Sequence, residues 1–330
     1  MTAISFPALD GRSALGFLAA LGASRLVESA GHAVALSWSE RDATAVLHSE
    51  TLRDVDDVVD VLKSVVELMP EGVLVPGGIV GFPPPGEAPD KLRLRPGELR
   101  ELVEWLMQSG PADVLAAWIT SLVTDLALDA QERSAHTLFG AFSGKQSMYT
   151  MLTKPLDMVR RRPELLREAL IDWRRVDNVT GEYLDHQVLF DAADSPMGES
   201  RERGVPGATW LALMSYPLIR TTSVNGRRAM STGWYTSGRR VRLRWPLWRQ
   251  PLDLLAIGAM WEHPLLTDVA RSDDAVTDTD SGTRVTAITR RRRDDSRQRL
   301  AAMGVFHLAR AERRRIPGRN FSGVLGPIAD

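Results

Sequence analysis

The chain has 330 residues, 44% of them apolar and 25% charged, and a formal net charge of −1, an ordinary globular balance with length for one large core or two to three domains. It contains no cysteine, which excludes disulfides and thiolate metal sites and fits a reducing, cytoplasmic setting. No run of about 18 apolar residues occurs, so no helix is expected to span a membrane, and the start lacks the basic and apolar regions of a signal peptide.

In chain order, Ile4 and Phe6 read as a strand ending at the Asp10-Gly11 turn. Leu15, Leu18, Gly22 and Leu26 recur at helical spacing, and Ala14, Ala19, Ala20 and Ala23 make that helix small-sided. Val34, Leu36 and Trp38 alternate, as do Thr44, Val46 and His48, which predicts two strands joined through 39–42. The segment 53–69 is the clearest amphipathic helix. Its Val58, Leu62 and Val65 face is expected against the strands at 33–48, with Asp56, Asp57, Asp60, Lys63 and Glu67 in water. Val73 to Val75 would close the sheet, giving a βαββαβ, ferredoxin-like order.

Glycines and prolines concentrate in 76–90, which reads as a linker or ordered loop. Helical stripes follow at 99–106 and 114–126, then further helices at 145–160, 163–174 and 207–216. Residues 229–236 and 239–246 predict a hairpin across Ser237-Gly238, followed by a helix near 252–262. The acidic, Ser/Thr-rich segment 271–283 reads as a mobile loop. The expected class is α+β, with a ferredoxin-like unit over 1–82, a helical region over 91–225 and an arginine-rich α+β region over 226–330.

Charge is unevenly distributed. Residues 201–330 hold 23 Arg, no Lys and 12 acidic residues, whereas 1–200 are net acidic. Such asymmetry points to a polyanion-binding face at the basic end, or to two ends that attract one another. On the predicted strand from Arg239, the guanidiniums of Arg240, Arg242 and Arg244 share one face and Val241, Leu243 and Trp245 the other. Alternate strand residues lie about 6.6–7 Å apart, comparable to successive backbone phosphates. Arg227, Arg228 and Arg249 flank the strand, and Trp234 and Tyr235 lie on its partner. Arginines interleaved with aromatics suit single-stranded nucleic acid, by stacking plus charge. A half-buried sheet with a solvated charged face gives the same pattern. A second basic set comprises 290–293, Arg297, Arg299 and 313–315.

No complete catalytic motif is present, and no cofactor is called for. Gly140 to Ser147 departs from a phosphate-binding P-loop: three residues separate its glycines, and Gln146 follows Lys145. Lys145 still offers a point charge at a helix start. Glu182, Asp185 and His186 gather acid/base groups that a metal-dependent hydrolase would use, although no His-x-x-x-His spacing accompanies them. A structural hydrogen-bond cluster at a strand or helix entry accounts for them better.

Five phrases taken together resemble subunits of type I-G (formerly I-U) CRISPR systems, nearest the family described as an extension of the helicase-nuclease. They are the run from Phe6 to Gly22, Gly144-Lys-Gln-Ser147, Thr180-Gly-Glu-Tyr-Leu-Asp-His186, Gly204-Val-Pro-Gly-Ala-Thr-Trp210 and Trp245-Pro-Leu-Trp-Arg-Gln-Pro-Leu252. The resemblance implies a part in RNA-guided antiviral interference. The chain lacks the phosphate-binding and His-Asp motifs of a helicase-nuclease, so it implies a non-catalytic subunit. Its partners would be effector subunits including that helicase-nuclease, and guide RNA or target DNA, with no membrane. A purely structural adaptor is the remaining alternative.

Overall fold

The computed structural model describes residues 1–142, 146–190, 201–238, 240–277, 287–314 and 323–328. Strand β1 (Thr2–Asp10) leads into α1 (Ala14–Ser29), whose N-cap Ser13 accepts from the Gly16 amide. β2 (Val34–Trp38) and β3 (Thr44–Ser49) follow, and the three strands pair antiparallel in the order β1-β3-β2. α2 (Val55–Leu68) starts at Asp54, whose side chain caps the Asp57 amide.

Two expectations for this unit fail. Val73 to Val75 are buried but form no strand. Nearby carbonyls that a closing strand would have paired are taken by one side chain, since Arg160 Nη2 donates to Met69 O, Pro70 O and Val73 O at 3.3, 3.1 and 3.2 Å. Nor does α2 pack mainly on the β2–β3 hairpin. α1, apolar on nearly every side, covers the sheet, and α2 lays Val58, Val59, Leu62 and Val66 against α1, the edge of β1 and two later helices.

The segment 76–95 is no loose linker. Phe82 and Leu92 are fully buried, and the buried Asp90 carboxylate accepts from the backbone amides of Leu92 and Met148. α3 (Pro96–Ser109), α4 (Ala112–Leu122), β4 (Val123–Leu128) and β5 (Ser134–His136) come next, then α5 (Met148–Arg161) and α6 (Glu164–Ile171). The expected helix over 114–126 thus ends early, and its last residues pair with β5. Three short strands, β6 (Val176–Asp177), β7 (Leu189–Phe190) and β8 (Arg201–Gly204), precede α7 (Pro206–Met214). Every residue of α7 is buried. It crosses α1 at Gly22, where a Cβ would meet Leu211 O at 1.7 Å, and α6 at Gly207, where one would meet Leu165 O at 2.1 Å. Only glycine allows such close backbone approach.

β9 (Thr221–Val224) and β10 (Arg228–Ser231) form a hairpin of their own. The chain then turns at Gly233 (φ 81°) into β11 (Trp234–Ser237), which pairs with β12 (Arg240–Trp248). The single predicted strand over 229–236 is therefore split between two sheets. α8 (Leu254–Trp261) and α9 (Pro264–Thr277) follow, so the segment expected as a loop from 271 is helical through Thr277. α10 (Ala287–Ala302), β13 (Val305–Arg314) and β14 (Val324–Pro327) complete a four-stranded antiparallel sheet, β11-β12-β13-β14.

One apolar core runs from Ile4 to Leu325 and joins both sheets. At its centre Phe17 of α1 touches Trp38, Trp245, Trp248 and Trp261, with ring centroids 5.1–6.3 Å apart. Trp245 Nε1 donates to Gly11 O at 2.6 Å, and Trp248 Nε1 to Leu36 O at 2.7 Å. These indoles bury large areas and find carbonyl partners for their polar ends, so the N-terminal unit and the C-terminal sheet share one interior. No described helix is long and apolar enough to cross a membrane.

Candidate nucleic-acid interface

The predicted arginine strand is β12, and its two faces do alternate as expected. Leu243, Trp245 and Leu247 join the core, while Arg242 and Arg244 point the other way. That second face is not open to solvent. α9 lies across β11, β12 and β13, and Arg242 and Arg244 are only 3% and 5% exposed. Of the three guanidiniums expected on one open face, Arg240 alone is exposed, and it lies 3.8 Å from Glu312.

Arg242 and the buried Arg310 of β13 are held by acids that the sequence pattern did not single out. The fully buried Asp274 of α9 forms ion pairs with Arg242 Nη1 at 2.7 Å and Arg310 Nη1 at 2.9 Å, and Tyr235 OH donates to it at 2.8 Å. The Arg242 contact is a close ion pair off the hydrogen-bond axis; Arg242 Nε donates to Glu312 at 3.2 Å. Burial by itself works against the Arg242 charge, but Asp274 and Glu312 outweigh it and raise its pKa. Burial, with Asp274 beside it, pushes the Tyr235 phenol upward as well. Arg244 pairs with no carboxylate of the described residues; it donates to Gly233 O and Thr267 Oγ1 and sits over the Tyr235 ring, and burial pulls it down to about 10. Arg313, of the second basic set, donates to Leu138 O, Phe139 O and Gly323 O and lies over Trp234.

Trp234 and Tyr235 are 6% and 2% exposed, so neither ring is free to stack on a base. Arg227 and Arg228 are exposed, at the Asn225-Gly226 turn between β9 and β10, where both turn residues have positive φ. Arg249 is half exposed and pairs with Glu40 at 3.0 Å. Lys145 and Arg239 lie outside the described residues.

The accessible arginines gather elsewhere. Arg291, Arg292, Arg297 and Arg299 are exposed along α10. Beside that helix an open cleft of about 650 Å³ runs between α9, α10 and β13, edged by Arg249, Arg293 and Arg297 over the buried Arg310, with Phe306 and His307 on the strand. Asp273 lies in the cleft and pairs with Arg297 at 2.7 Å and Arg293 at 3.8 Å. Arg292 pairs with Asp268 and Arg299 with Asp295. The Arg292 and Arg299 pairs are exposed and contribute only about 0–1 kcal/mol, whereas Asp273, at 7% exposure, is a buried carboxylate held at the cleft by its arginines.

The acid/base cluster does not form one site. Glu182 is buried beside Gln146, whose Nε2 donates to it, and faces a cavity of about 90 Å³ with Lys154, Thr180 and Thr209. Burial pushes its carboxyl up to about 8. Gly181, Glu182 and Tyr183 all have positive φ, which inverts the chain and sends the next residues to another side. Asp185 pairs with Arg175 at 2.7 Å and accepts from Gln187 N at 2.8 Å. Asp185 and the half-exposed His186, 3.7 Å apart, open into a different cavity with Arg12 and Trp173. Burial lowers the His186 pKa. Among the described residues no group of three or more His, Asp or Glu is placed to hold a metal ion.

No family model matches this chain, and no curated protein matches it.

Proposed function

We propose that the chain is a non-catalytic subunit or accessory protein of a type I-G-like CRISPR interference complex. It would hold nucleic acid and partner subunits in the cytoplasm while another chain performs the chemistry. The observation that carries the nucleic-acid part is the open cleft beside α10, which Arg249, Arg293 and Arg297 line together with Phe306 and His307. Charge beside aromatic rings suits a single strand. The complex itself is supported by the five shared phrases and by the succession β1-α1-β2-β3-α2 with strand order β1-β3-β2. That succession matches the first five elements of a ferredoxin-like unit, which is widespread in such complexes. The hydrolase reading is weaker, because Glu182 and the Asp185–His186 pair open into separate cavities.

Fluorescence anisotropy with labelled single-stranded DNA, single-stranded RNA and duplex, across a salt series, tests the cleft. Changing Arg249, Arg293 and Arg297 of the cleft together to Gln should flatten the log–log salt slope by roughly 0.7–0.9 for each phosphate that is no longer neutralised. An unchanged slope would overturn the assignment. Affinity purification from the native host should recover effector subunits and bound nucleic acid. Magnesium- or manganese-dependent cleavage abolished by Asp185→Ala or His186→Ala would favour the hydrolase instead.

A further inference from the structure

A second cavity, larger than the arginine-edged cleft, lies on the opposite element set. It is an open groove of about 840 Å³ between the C-terminal half of α1, α2, the 69–78 turn and the start of α4. Its long wall comes from α2. Val61, Val65 and Leu68 follow one another at helical spacing, outside the stripe that α2 gives to the core. Val61 and Val65 are half-buried against the core, and Leu68 is 82% exposed, among the described residues the most exposed large apolar side chain after Leu255. Val73 and Val114 face it from the other side.

Arg25 also lines this groove, and it is the only charged residue in the first fourteen of α1. Its guanidinium lies 5.6 Å from the Trp118 ring centroid, and Nη1 donates to Met214 O at 3.1 Å. No carboxylate of the described residues pairs with it. Burial pulls its pKa down to about 10, only partly offset by the more distant Glu28. Arg242 and Arg310 are balanced by Asp274, and Arg313 compensates with three carbonyls. Among the described residues Arg25 has a single hydrogen-bonded partner, and it lines the groove with Asp60, which pairs with Lys63 rather than with Arg25. A partly desolvated cation without an anion favours a carboxylate over most other ligands, because charge-assisted bidentate pairing recovers the desolvation cost.

We infer that the groove captures the C-terminal end of another polypeptide, an apolar tail whose terminal carboxylate pairs with Arg25 while its side chains lie along Val61, Val65 and Leu68. A chain end is favoured over a carboxylate carried within a helix. Arg25 is recessed against Trp118, and a helix would have to bring its neighbouring turns down onto α1 to reach it. Sites of roughly 300–1,000 Å³ hold drug-sized ligands, which is the bulk of about a four-residue tail. Capture of a terminal carboxylate is a known mode of peptide recognition. The inference does not depend on nucleic-acid binding and stands if the arginine cleft fails its test.

The test uses the full chain in equilibrium dialysis against two pools of N-acetylated tetrapeptides with Ala, Val, Leu, Ile or Phe at each position. One pool has free C-terminal carboxylates and the other C-terminal amides, and the retained peptides are read by mass spectrometry. The acid pool should be retained at least tenfold better than the amide pool. Arg25→Gln and, separately, Leu68→Asp should each reduce retention by a similar factor. Leu68 is exposed, so the second variant keeps the fold if the first does not. Equal retention of acids and amides, or no retention of either, overturns the inference. Retention of decanoate without the peptide acids overturns it in favour of a fatty-acid ligand. Binding of an internal amphipathic helix with a blocked C-terminus, undiminished in Arg25→Gln, overturns it in favour of a helix groove.

Discussion

The N-terminal unit and the C-terminal sheet solve the same packing problem with different materials. Around α1 the contacts are made by small and apolar groups: Ala19, Ala20 and Ala23 are fully buried, and Gly22 brings α1 onto the backbone of α7. Around β12 the sheet is buried on both faces, yet one face carries Arg242, Arg244 and Arg310, closed by Asp274 of α9. The first region is held by shape and loses stability when volume is added. The second is held by charge balance and loses stability when a partner is removed, because a buried ion left alone keeps its desolvation cost. An arginine-rich segment is therefore not by itself a nucleic-acid surface; part of this one is interior.

The largest effect expected from this contrast is at Asp274. Asp274→Ala leaves two buried guanidiniums and the Tyr235 hydroxyl without their shared acceptor, and should cost about 3–5 kcal/mol in urea denaturation. A loss below about 1 kcal/mol would mean that α9 does not close the arginine face. Replacing Asp274, Arg242 and Arg310 together by apolar residues should recover much of the loss, as buried ion clusters often tolerate such exchange.

Glu182 sharpens the comparison, since it is a buried carboxyl with no arginine clamp. Burial raises its pKa from the usual 4.5 to about 8. The folded state therefore keeps a proton that the unfolded state releases. The associated stability is present in full below about 4.5 and is lost as pH rises toward 8, with a slope on the order of 1.4 kcal/mol per pH unit. Glu182→Gln should remove this dependence, so that wild type and variant diverge between pH 5 and 8 in parallel denaturation series. Parallel curves would show that Glu182 ionises freely in the folded protein.

At Gly22 the expected effect is smaller. Gly22→Ala would place a methyl group against the Leu211 carbonyl, and separating α1 from α7 should cost about 1–3 kcal/mol. A melting temperature within a degree of wild type would show that the two helices slide apart freely, and that shape is not what holds the N-terminal region.

Much of the local structure was legible in the residues. The spacing of Leu15, Leu18 and Leu26, the valine stripe of 53–69, and the alternation around 34–48 each correspond to an observed helix or strand. The β11–β12 turn at 237–238 and the alternating faces of β12 were legible too. What failed were the local assignments at 73–75, 114–126, 229–236 and from 271, and statements about which surface meets which. Asp273 and Asp274 sit in a polar stretch that reads as a loop, and Asp274 lies 36 residues from Arg310. No local pattern announces such a pairing, because ion pairs carry no sequence period.

Residue order by itself determined the helical and strand periods, the crowding of arginine toward the C-terminus and the absence of thiol chemistry, since these follow from side-chain spacing and composition. Only the tertiary structure decided which arginines reach solvent. Burial depends on what packs above a face: α9 covers Arg242 and Arg244, whereas Arg291, Arg292, Arg297 and Arg299 stay on the open side of α10. The same holds for Arg25, placed by its helix toward the interior and paired with no carboxylate of the described residues.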